Sequence, residues 1–116
     1  MLMVIENGNK VHVIYRALYD SSTRRHFLGE VVAADGALCR LEGYVFVLDP
    51  ESDLYKKKPE KRITIIDLAE SGYIVNVLDK NVVLADVTYK YLENIGRVAT
   101  DGKDFILDIN EFGPKS

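Results

Sequence analysis

The stretch HFLGEVVAADGALCRLEGYVFVL, residues 26–48, decides the fold class of this chain. Two runs rich in apolar and β-branched residues, 26–34 and 37–48, flank Asp35-Gly36, a dipeptide typical of tight hairpin turns. Side chains in the second run alternate between two apolar sets, Tyr44, Phe46 and Leu48 against Val45 and Val47. The pattern predicts an antiparallel hairpin whose second strand is central in a sheet and buried on both sides.

Two glycines interrupt this hairpin inside its strands and not at its turn. Gly29 and Gly43 stand alone in otherwise strand-like runs, a placement typical of a bulge or a sharp bend. We therefore expect the sheet to curl at these two positions, as it must in a small barrel or roll.

Outward from this hairpin, similar short runs recur at the spacing of strands in a sandwich or barrel. The further predicted strands are 2–5, 11–18, 62–68, 73–78, about 86–92, 97–100 and 103–109. Turn residues separate several of them: Asn7-Gly8-Asn9, Ser71-Gly72 and Asp101-Gly102. Together they predict a single β domain over residues 1–116, an all-β antiparallel barrel or roll of about eight or nine short strands.

The segment 79–96 is ambiguous between helix and strand. Leu84, Val87, Tyr91 and Ile95 have helical spacing, whereas Val87, Tyr89 and Tyr91 alternate with polar residues as in a strand. Because β-branched and aromatic residues dominate, we predict a strand over about 86–92, preceded by a short helical turn near 82–86.

Composition excludes several classes of protein. The chain has 116 residues, 47% of them hydrophobic, and a net charge of −3, which argues against a globally basic nucleic-acid binder. The first apolar run ends at Glu6, which is too short for a signal peptide or a membrane span. Cys39 is the single cysteine, so no intrachain disulfide can form, and a reducing, cytoplasmic location is expected.

The charge is unevenly distributed along the chain. Residues 55–62 hold five positive charges and one negative charge, a balance of +4 that leaves −7 on the remainder. Basic side chains beside an aromatic ring suit contacts with a phosphate backbone and a stacked base. The candidate binding residues are Tyr55, Lys56, Lys57, Lys58, Lys61 and Arg62, with Arg24 and Arg25 in support. Equally, the segment can be a solvated loop, or its lysines can protect a sheet edge from pairing.

Two further constellations could carry chemistry. Glu30 and Glu42 lie nearly symmetrically about the Asp35-Gly36 turn, so they could be close enough in space to form an acid–base pair. Alternatively, they line a polar face and pair with Arg40 or a lysine. Cys39 with His12 or His26 could form a nucleophile and base, although the alternation around His12 places that histidine on a solvent face. The acidic residues from Asp49 to Glu60 have the spacing of an EF-hand calcium loop, but Leu54 stands where that loop needs glycine, and three lysines follow. No zinc-ligand pair and no glycine-rich cofactor loop is visible, so neither a metal nor a cofactor is expected.

Three functions follow from these features. The favoured one is a non-catalytic binding or assembly module that forms a homodimer through a sheet face or edge, because both faces of the strand at 44–48 are apolar. The alternative is binding of a nucleic acid or a phosphate ligand through residues 55–62. A small enzyme that uses Glu30 and Glu42 is the third, and no membrane role is expected.

Overall fold

A computed structural model describes residues 5–15, 25–69 and 73–109. Over these residues the chain forms strands and one single-turn 3₁₀ helix, so the all-β prediction is confirmed. The strands are β1 (Lys10–Tyr15), β2 (Arg25–Asp35), β3 (Leu38–Asp49), β4 (Leu54–Lys57), β5 (Arg62–Asp67), β6 (Tyr73–Leu78), β7 (Thr88–Leu92), β8 (Gly96–Thr100) and β9 (Ile106–Asp108). The 3₁₀ turn, Leu84–Asp86, lies within the predicted helical turn near 82–86.

Strands β1 to β6 form one antiparallel sheet, which we call the curled sheet. Its order is β4-β3-β2-β1-β6, and β5 also pairs with β3. β3 is long enough to hold both partners, because residues 46–49 pair with β4 and residues 38–43 pair with β5. The predicted central strand at 44–48 is therefore confirmed, with β2 along its other edge.

The curl centres on Gly29 and Gly43, which are direct partners in the β2–β3 register. A Cβ on Gly43 would lie 2.0 Å from the carbonyl oxygen of Leu28 and 2.5 Å from Cα of Gly29. A Cβ on Gly29 would lie 2.5 Å from the ring of Phe27. Only glycine permits this approach of two backbones, whereas the register irregularity of the hairpin lies nearby, between Val31 and Ala33. A bend at the two glycines themselves stays a prediction.

The concave face of the curled sheet holds its own apolar core. Its fully buried members come from β1, β2, β3 and β5 and from the segment before β1: Ile5, Val11, Val13, Phe27, Val31, Cys39, Leu41, Val45 and Ile66. Leu68 and Val75 pack against them, which brings the two outer parts of the sheet around one interior. The outer strands β5 and β6 are not neighbours in the described sheet order, so the fold is a roll and not a closed barrel.

On the convex face lies a second antiparallel sheet, β7-β8-β9, which we call the small sheet. It encloses a second core made of Leu28, Phe46, Tyr55, Val82, Val87, Tyr89 and Ala99. A polar clasp supports the docking, because Asp53 accepts hydrogen bonds from Arg97 Nη1 at 3.4 Å and from Tyr91 Oη at 3.1 Å. Asp53 precedes β4 and has a left-handed φ of 58°.

Some sequence predictions differ from the structure in extent. Leu54–Lys57 forms a strand inside the stretch 49–61, which we had interpreted as one long polar connection. It forms because Tyr55 is buried against the small sheet while Lys56 faces outward. The last strand covers only Ile106–Asp108 of the predicted 103–109. Most of the predicted strand 2–5, the end of 11–18 and the turn Ser71-Gly72 lie outside the described residues.

Within the described ranges, no helix has the length and hydrophobicity that crossing a bilayer requires.

The glycine contact gives a direct test of the bend. Gly43→Ala should lower the free energy of unfolding by about 3 kcal/mol, the upper end of overpacking costs, because the clashing atoms are backbone and cannot rotate away. Gly36→Ala is the matched control, since Gly36 has a φ of 60° but open space around it and should cost only about 1 kcal/mol. Urea unfolding of both variants checks the difference. Equal costs would show that the approach at Gly43 does not set the curl.

Candidate functional site

The convex face of the curled sheet is only partly covered by the small sheet. The uncovered part, which we call the open face, is formed by Val32 of β2, Leu38, Arg40 and Glu42 of β3, and Ile63, Ile65 and Asp67 of β5. The β3–β5 register pairs Leu38 with Asp67, Arg40 with Ile65, and Glu42 with Ile63. Because side chains alternate along strands, these six point to the face opposite Cys39, Leu41 and Ile66 of the concave core.

Apolar side chains are concentrated on the open face. Ile63 is 66% exposed and Ile65 is 61% exposed, and they are adjacent on the same side of β5. Leu38 and Val32 are also exposed, so four of the eight exposed large hydrophobic residues of the described chain lie on this face. Clustered exposed apolar residues with polar neighbours are typical of an interaction surface.

A row of charged residues crosses four segments beside the open face. Lys10 faces Glu30 in the β1–β2 register, and Glu30 faces Glu42 in the β2–β3 register, so the predicted juxtaposition of the two glutamates is confirmed. Lys61 Nζ lies 3.0 Å from Glu42 Oε1. The hydrogen bond and charge of Glu42 raise the pKa of the Lys61 ammonium.

A shallow groove of about 150 Å³ runs between this row and the 3₁₀ turn. Glu30, Glu42 and Lys61 line one side, and Leu84 and Ala85 line the other. Because Glu42 is already paired with a lysine, the two glutamates form a polar border of the open face rather than an isolated carboxylate dyad. The role of an acid–base pair stays a prediction.

The sequence-predicted basic residues are spread over different environments. Tyr55 is buried, with its ring stacked on His26 at a centroid distance of 4.1 Å, and it therefore belongs to the convex core. Lys57 is half-buried, where its Nζ donates to the carbonyl oxygen of Ala85 at 2.7 Å and lies 4.0 Å from the ring centroid of Tyr44. These two residues hold β4 against its neighbours.

The other predicted basic residues are exposed. Lys56 forms an ion pair with Asp49 at 3.1 Å, and Lys61 has Glu42 as its partner. Lys58 and Arg62 lie at the two ends of the exposed connection between β4 and β5. Arg25 is exposed at the start of β2, and Arg24 lies outside the described residues. A nucleic-acid or phosphate interface at residues 55–62 stays a prediction.

A cluster that sequence reasoning missed lies between the two sheets. His12 is fully buried and His26 is 6% exposed, so the expectation of a solvent-facing His12 was wrong. Nε2 of His12 lies 3.1 Å from Nδ1 of His26, and Tyr89 Oη lies 3.0 Å and 2.7 Å from these two atoms. The amide nitrogen of Asn76 donates to Nδ1 of His12 at 3.3 Å.

The hydrogen bonds determine where the protons lie. Because Asn76 Nδ2 can only donate, His12 carries its proton on Nε2 and donates it to Tyr89 Oη. The tyrosine hydroxyl donates in turn to Nδ1 of His26. Within the described residues no buried side-chain nitrogen or oxygen lacks a partner, so the neutral network is complete.

Burial controls the titration of this cluster. It lowers the pKa of His12 to about 4, and burial together with the positive charges of His12 and Arg97 lowers the pKa of His26 to about 3. Burial also raises the pKa of Tyr89 well above 10. At neutral pH the three groups are therefore uncharged and form a hydrogen-bonded link between the sheets.

Cys39 lies on the opposite side of the curled sheet from both histidines. It belongs to the concave core, where burial raises the pKa of its thiol, whereas His12 and His26 face the small sheet. The predicted possibility of a Cys–His nucleophile pair is therefore wrong, because the sheet separates the two groups.

A pocket of about 330 Å³ lies at one end of the small sheet. Asp79, Asp101 and Asp104 are among its lining residues, together with Val82 and Phe105. Asp101 is used structurally, since its carboxylate accepts the backbone N–H groups of Val83 at 3.3 Å and Lys103 at 2.9 Å. Among the described residues no three His, Cys, Asp or Glu side chains are placed to hold a metal ion.

Comparisons of this chain with protein families, with curated proteins and with solved structures found no match.

The buried histidines give a spectroscopic test. In a ¹H–¹³C NMR titration, the ring resonances of His12 and His26 should remain those of neutral imidazole down to pH 5, because burial disfavours the charged form. The chain has 2 histidines, so one His26→Phe variant assigns both resonances. In urea both should titrate near 6.5. A midpoint near 6.5 in the folded protein would contradict the buried network.

Proposed function

We propose that this chain is a non-catalytic assembly module that binds a second copy of itself through the open face. The supporting observation is the exposure of Ile63 and Ile65, two neighbouring isoleucines on one face of β5. Large apolar side chains in contact with water are stabilised when a partner covers them, and two adjacent ones give such an interface a centre.

The form of the surface favours a protein partner over a small ligand. The open face presents side chains from three neighbouring strands, with the charged row Lys10, Glu30, Glu42 and Lys61 along its border. An apolar centre with a polar rim is the arrangement of protein–protein interfaces. Small-molecule sites, in contrast, are concave, and the groove beside this face holds only about 150 Å³.

Charge complementarity favours a second copy of the same chain as the partner. Arg40 stands on the open face between Glu42 on its own strand and Asp67 near the end of β5. In a two-fold dimer the same surface patch of each copy forms the interface. Such a patch is self-complementary only when it carries both positive and negative side chains, so that each can face its opposite on the other copy. The arginine of one copy can then face a carboxylate of the other while the isoleucines pack together.

A cytoplasmic setting is part of this proposal. The single cysteine is buried in the concave core, so it needs neither a disulfide partner nor an oxidising environment.

Sedimentation equilibrium tests the dimer. Wild-type protein at tens of micromolar should contain a species of twice the 13.1 kDa chain mass. Ile65→Lys should raise the dimer dissociation constant by about a hundredfold, because the lysine charge would have to be buried without a partner. The matched control is Ile106→Lys, which changes an isoleucine of the small sheet that is 50% exposed and should leave the constant unchanged.

Two results would contradict the dimer proposal. One is a wild-type protein that sediments only as the single chain at these concentrations. The other is a dimer whose dissociation constant responds equally to Ile65→Lys and to Ile106→Lys, since the open face would then not be the interface.

Nucleic-acid or phosphate binding through residues 55–62 is the second candidate. It is supported by the exposure of every residue from Lys58 to Arg62, which leaves Lys58 and Arg62 accessible to a phosphate backbone. Opposing it, Tyr55 is buried and cannot stack on a base.

Binding of a labelled single-stranded oligonucleotide at increasing salt separates this candidate from the first. Lys58→Gln with Arg62→Gln should reduce the salt dependence of the binding constant by roughly 1.4 in a double-logarithmic plot, about 0.7 per lost phosphate contact. Lys56→Gln with Lys61→Gln is the matched control, because both lysines already pair with carboxylates and should contribute less. No wild-type binding at low salt, or an unchanged slope in the Lys58/Arg62 variant, rules this function out.

A further inference from the structure

His12, His26 and Tyr89 link two layers of the fold that apolar contacts and the clasp at Asp53 also hold together. The curled sheet supplies both histidines, and the small sheet supplies the tyrosine. We propose that this cluster is an acid-operated latch: protonation of the histidines releases the small sheet from the convex face, while the concave core of the curled sheet remains folded.

The geometry has no place for an additional proton. Nε2 of His12, Nδ1 of His26 and Oη of Tyr89 are in mutual contact and share two protons when the rings are neutral. A proton added to Nδ1 of His26 removes the acceptor of the tyrosine hydroxyl and points two N–H groups towards each other. If Nδ1 of His12 is protonated instead, it meets the N–H donors of Asn76, so the amide must turn over to present its oxygen. The first event leaves a donor without an acceptor and the second buries a charge, and both are costly.

Among the residues that the structure describes around the cluster, no negative charge stabilises the protonated form of either ring. The groups around the cluster, by element, are Leu28 of β2 opposite His12, Phe46 of β3 opposite His26, Tyr55 of β4 on the His26 ring, Asn76 of β6, Tyr89 of β7 and Arg97 of β8. Arg97 is the charged member of this set, and its positive charge disfavours imidazolium. Lys10 is the next convex-face residue of β1, and its Nζ donates to the carbonyls of Lys80 and Val82.

Asp53 is the carboxylate that belongs to the clasp between the sheets. It lies 3.4 Å from Arg97 Nη1, so its negative charge is directed at the guanidinium rather than at the rings. Protonation of the histidines therefore places positive charge close to the Arg97 guanidinium, which is already positive.

The direction of the pH dependence follows from linkage. The folded pKa values of about 4 and 3 lie below the usual 6.5, so the released state binds more protons than the docked state over this range. Docking is therefore fully stable above pH 6.5 and weakens as the pH falls towards 4. At two pH units below 6.5, each histidine that becomes protonated on release shifts the docking equilibrium by about a hundredfold.

Acid should destabilise the convex core, which contains the histidines, and not the concave core. Among the described residues, the concave core and the partly buried residues packed against it contain no histidine, carboxylate or basic group. The buried carboxylate of Asp101, on the loop after β8, titrates in a lower range. Burial would raise its pKa, but backbone N–H groups of Lys103, Val83 and Phe105 outweigh this, and the net pKa lies below 3.8. Release between pH 6.5 and 4 is thus assigned to the histidines.

Residue-resolved amide hydrogen exchange at pH 7 and pH 4.5, corrected for intrinsic exchange rates, tests the latch. We expect protection in β7 and β8 to fall by a factor between about 10² and 10⁴, for one or two protonated histidines. Protection of the concave-core strands, followed at Val11, Val31 and Leu41, should change by less than tenfold. The loss should begin as the pH falls below 6.5, the pKa of the released histidines, before the rings of the docked protein titrate.

The matched control is an apolar cluster, His12→Leu with His26→Phe and Tyr89→Phe, which removes all three polar groups together. Its small sheet should remain protected at pH 4.5, because no group in the cluster can take up a proton. Three results would overturn the proposal. These are unchanged protection of β7 and β8 at pH 4.5 in the wild type, simultaneous loss in both sheets of the wild type, or an equal loss of protection in the apolar variant. The first two comparisons need no variant.

Discussion

The approach of Gly29 to Gly43 is the constraint on which the rest of this fold depends. Two backbones pass so closely here that a Cβ on Gly43 would lie 2.0 Å from a carbonyl oxygen. The resulting curl lets one face of the sheet enclose a core without a second layer, as the burial of Val11, Leu41 and Ile66 shows. The same curl leaves the convex face to be covered by other parts of the molecule.

The buried histidine cluster and the open face both lie on the convex face of the curled sheet. Both exist because the small sheet is too small to cover that whole face. β3 has 12 residues, and the small sheet packs against its β4-paired half through Phe46. Where the small sheet covers the convex face, His12 and His26 are buried and must stay uncharged. Where the small sheet does not reach, beside the half of β3 that pairs with β5, Ile63 and Ile65 of β5 are exposed to solvent. The buried histidine cluster and the exposed isoleucines thus lie beside the two halves of one long strand, and neither feature requires a catalytic group.

Much of this architecture was predictable because strand pairing around a short turn leaves few choices. Counting outward from Asp35-Gly36 placed Glu30 within one residue of the position opposite Glu42, and the register shift between Val31 and Ala33 makes the two direct partners. The environment of His12 was not predictable, because alternation separates the two faces of a strand but cannot show that a second sheet covers the polar one. The alternation of Val87, Tyr89 and Tyr91 with polar residues did indicate a further strand that could cover the polar face. Nothing in the sequence, however, showed that this strand packs on the histidines.

The basic segment shows the same limitation. A run of lysines beside an aromatic residue indicated a surface for phosphate, yet Tyr55 and Lys57 alternate into the molecule while Lys56 faces solvent. Tyr55, Lys56 and Lys57 alternate as a strand requires, but the charge of Lys57 suggested a solvent-exposed side chain. Its stem instead covers the Tyr44 ring while its ammonium donates to the Ala85 carbonyl.

The central claim is that the open face is the surface through which this chain assembles. The most direct measurement is methyl NMR of the 9 isoleucines across a dilution series that spans the change in sedimenting mass. If the open face is the interface, the methyl resonances of Ile63 and Ile65 shift in parallel with the dimer fraction, while those of Ile106 stay in place. Constant Ile63 and Ile65 resonances across a measured change in mass would contradict it.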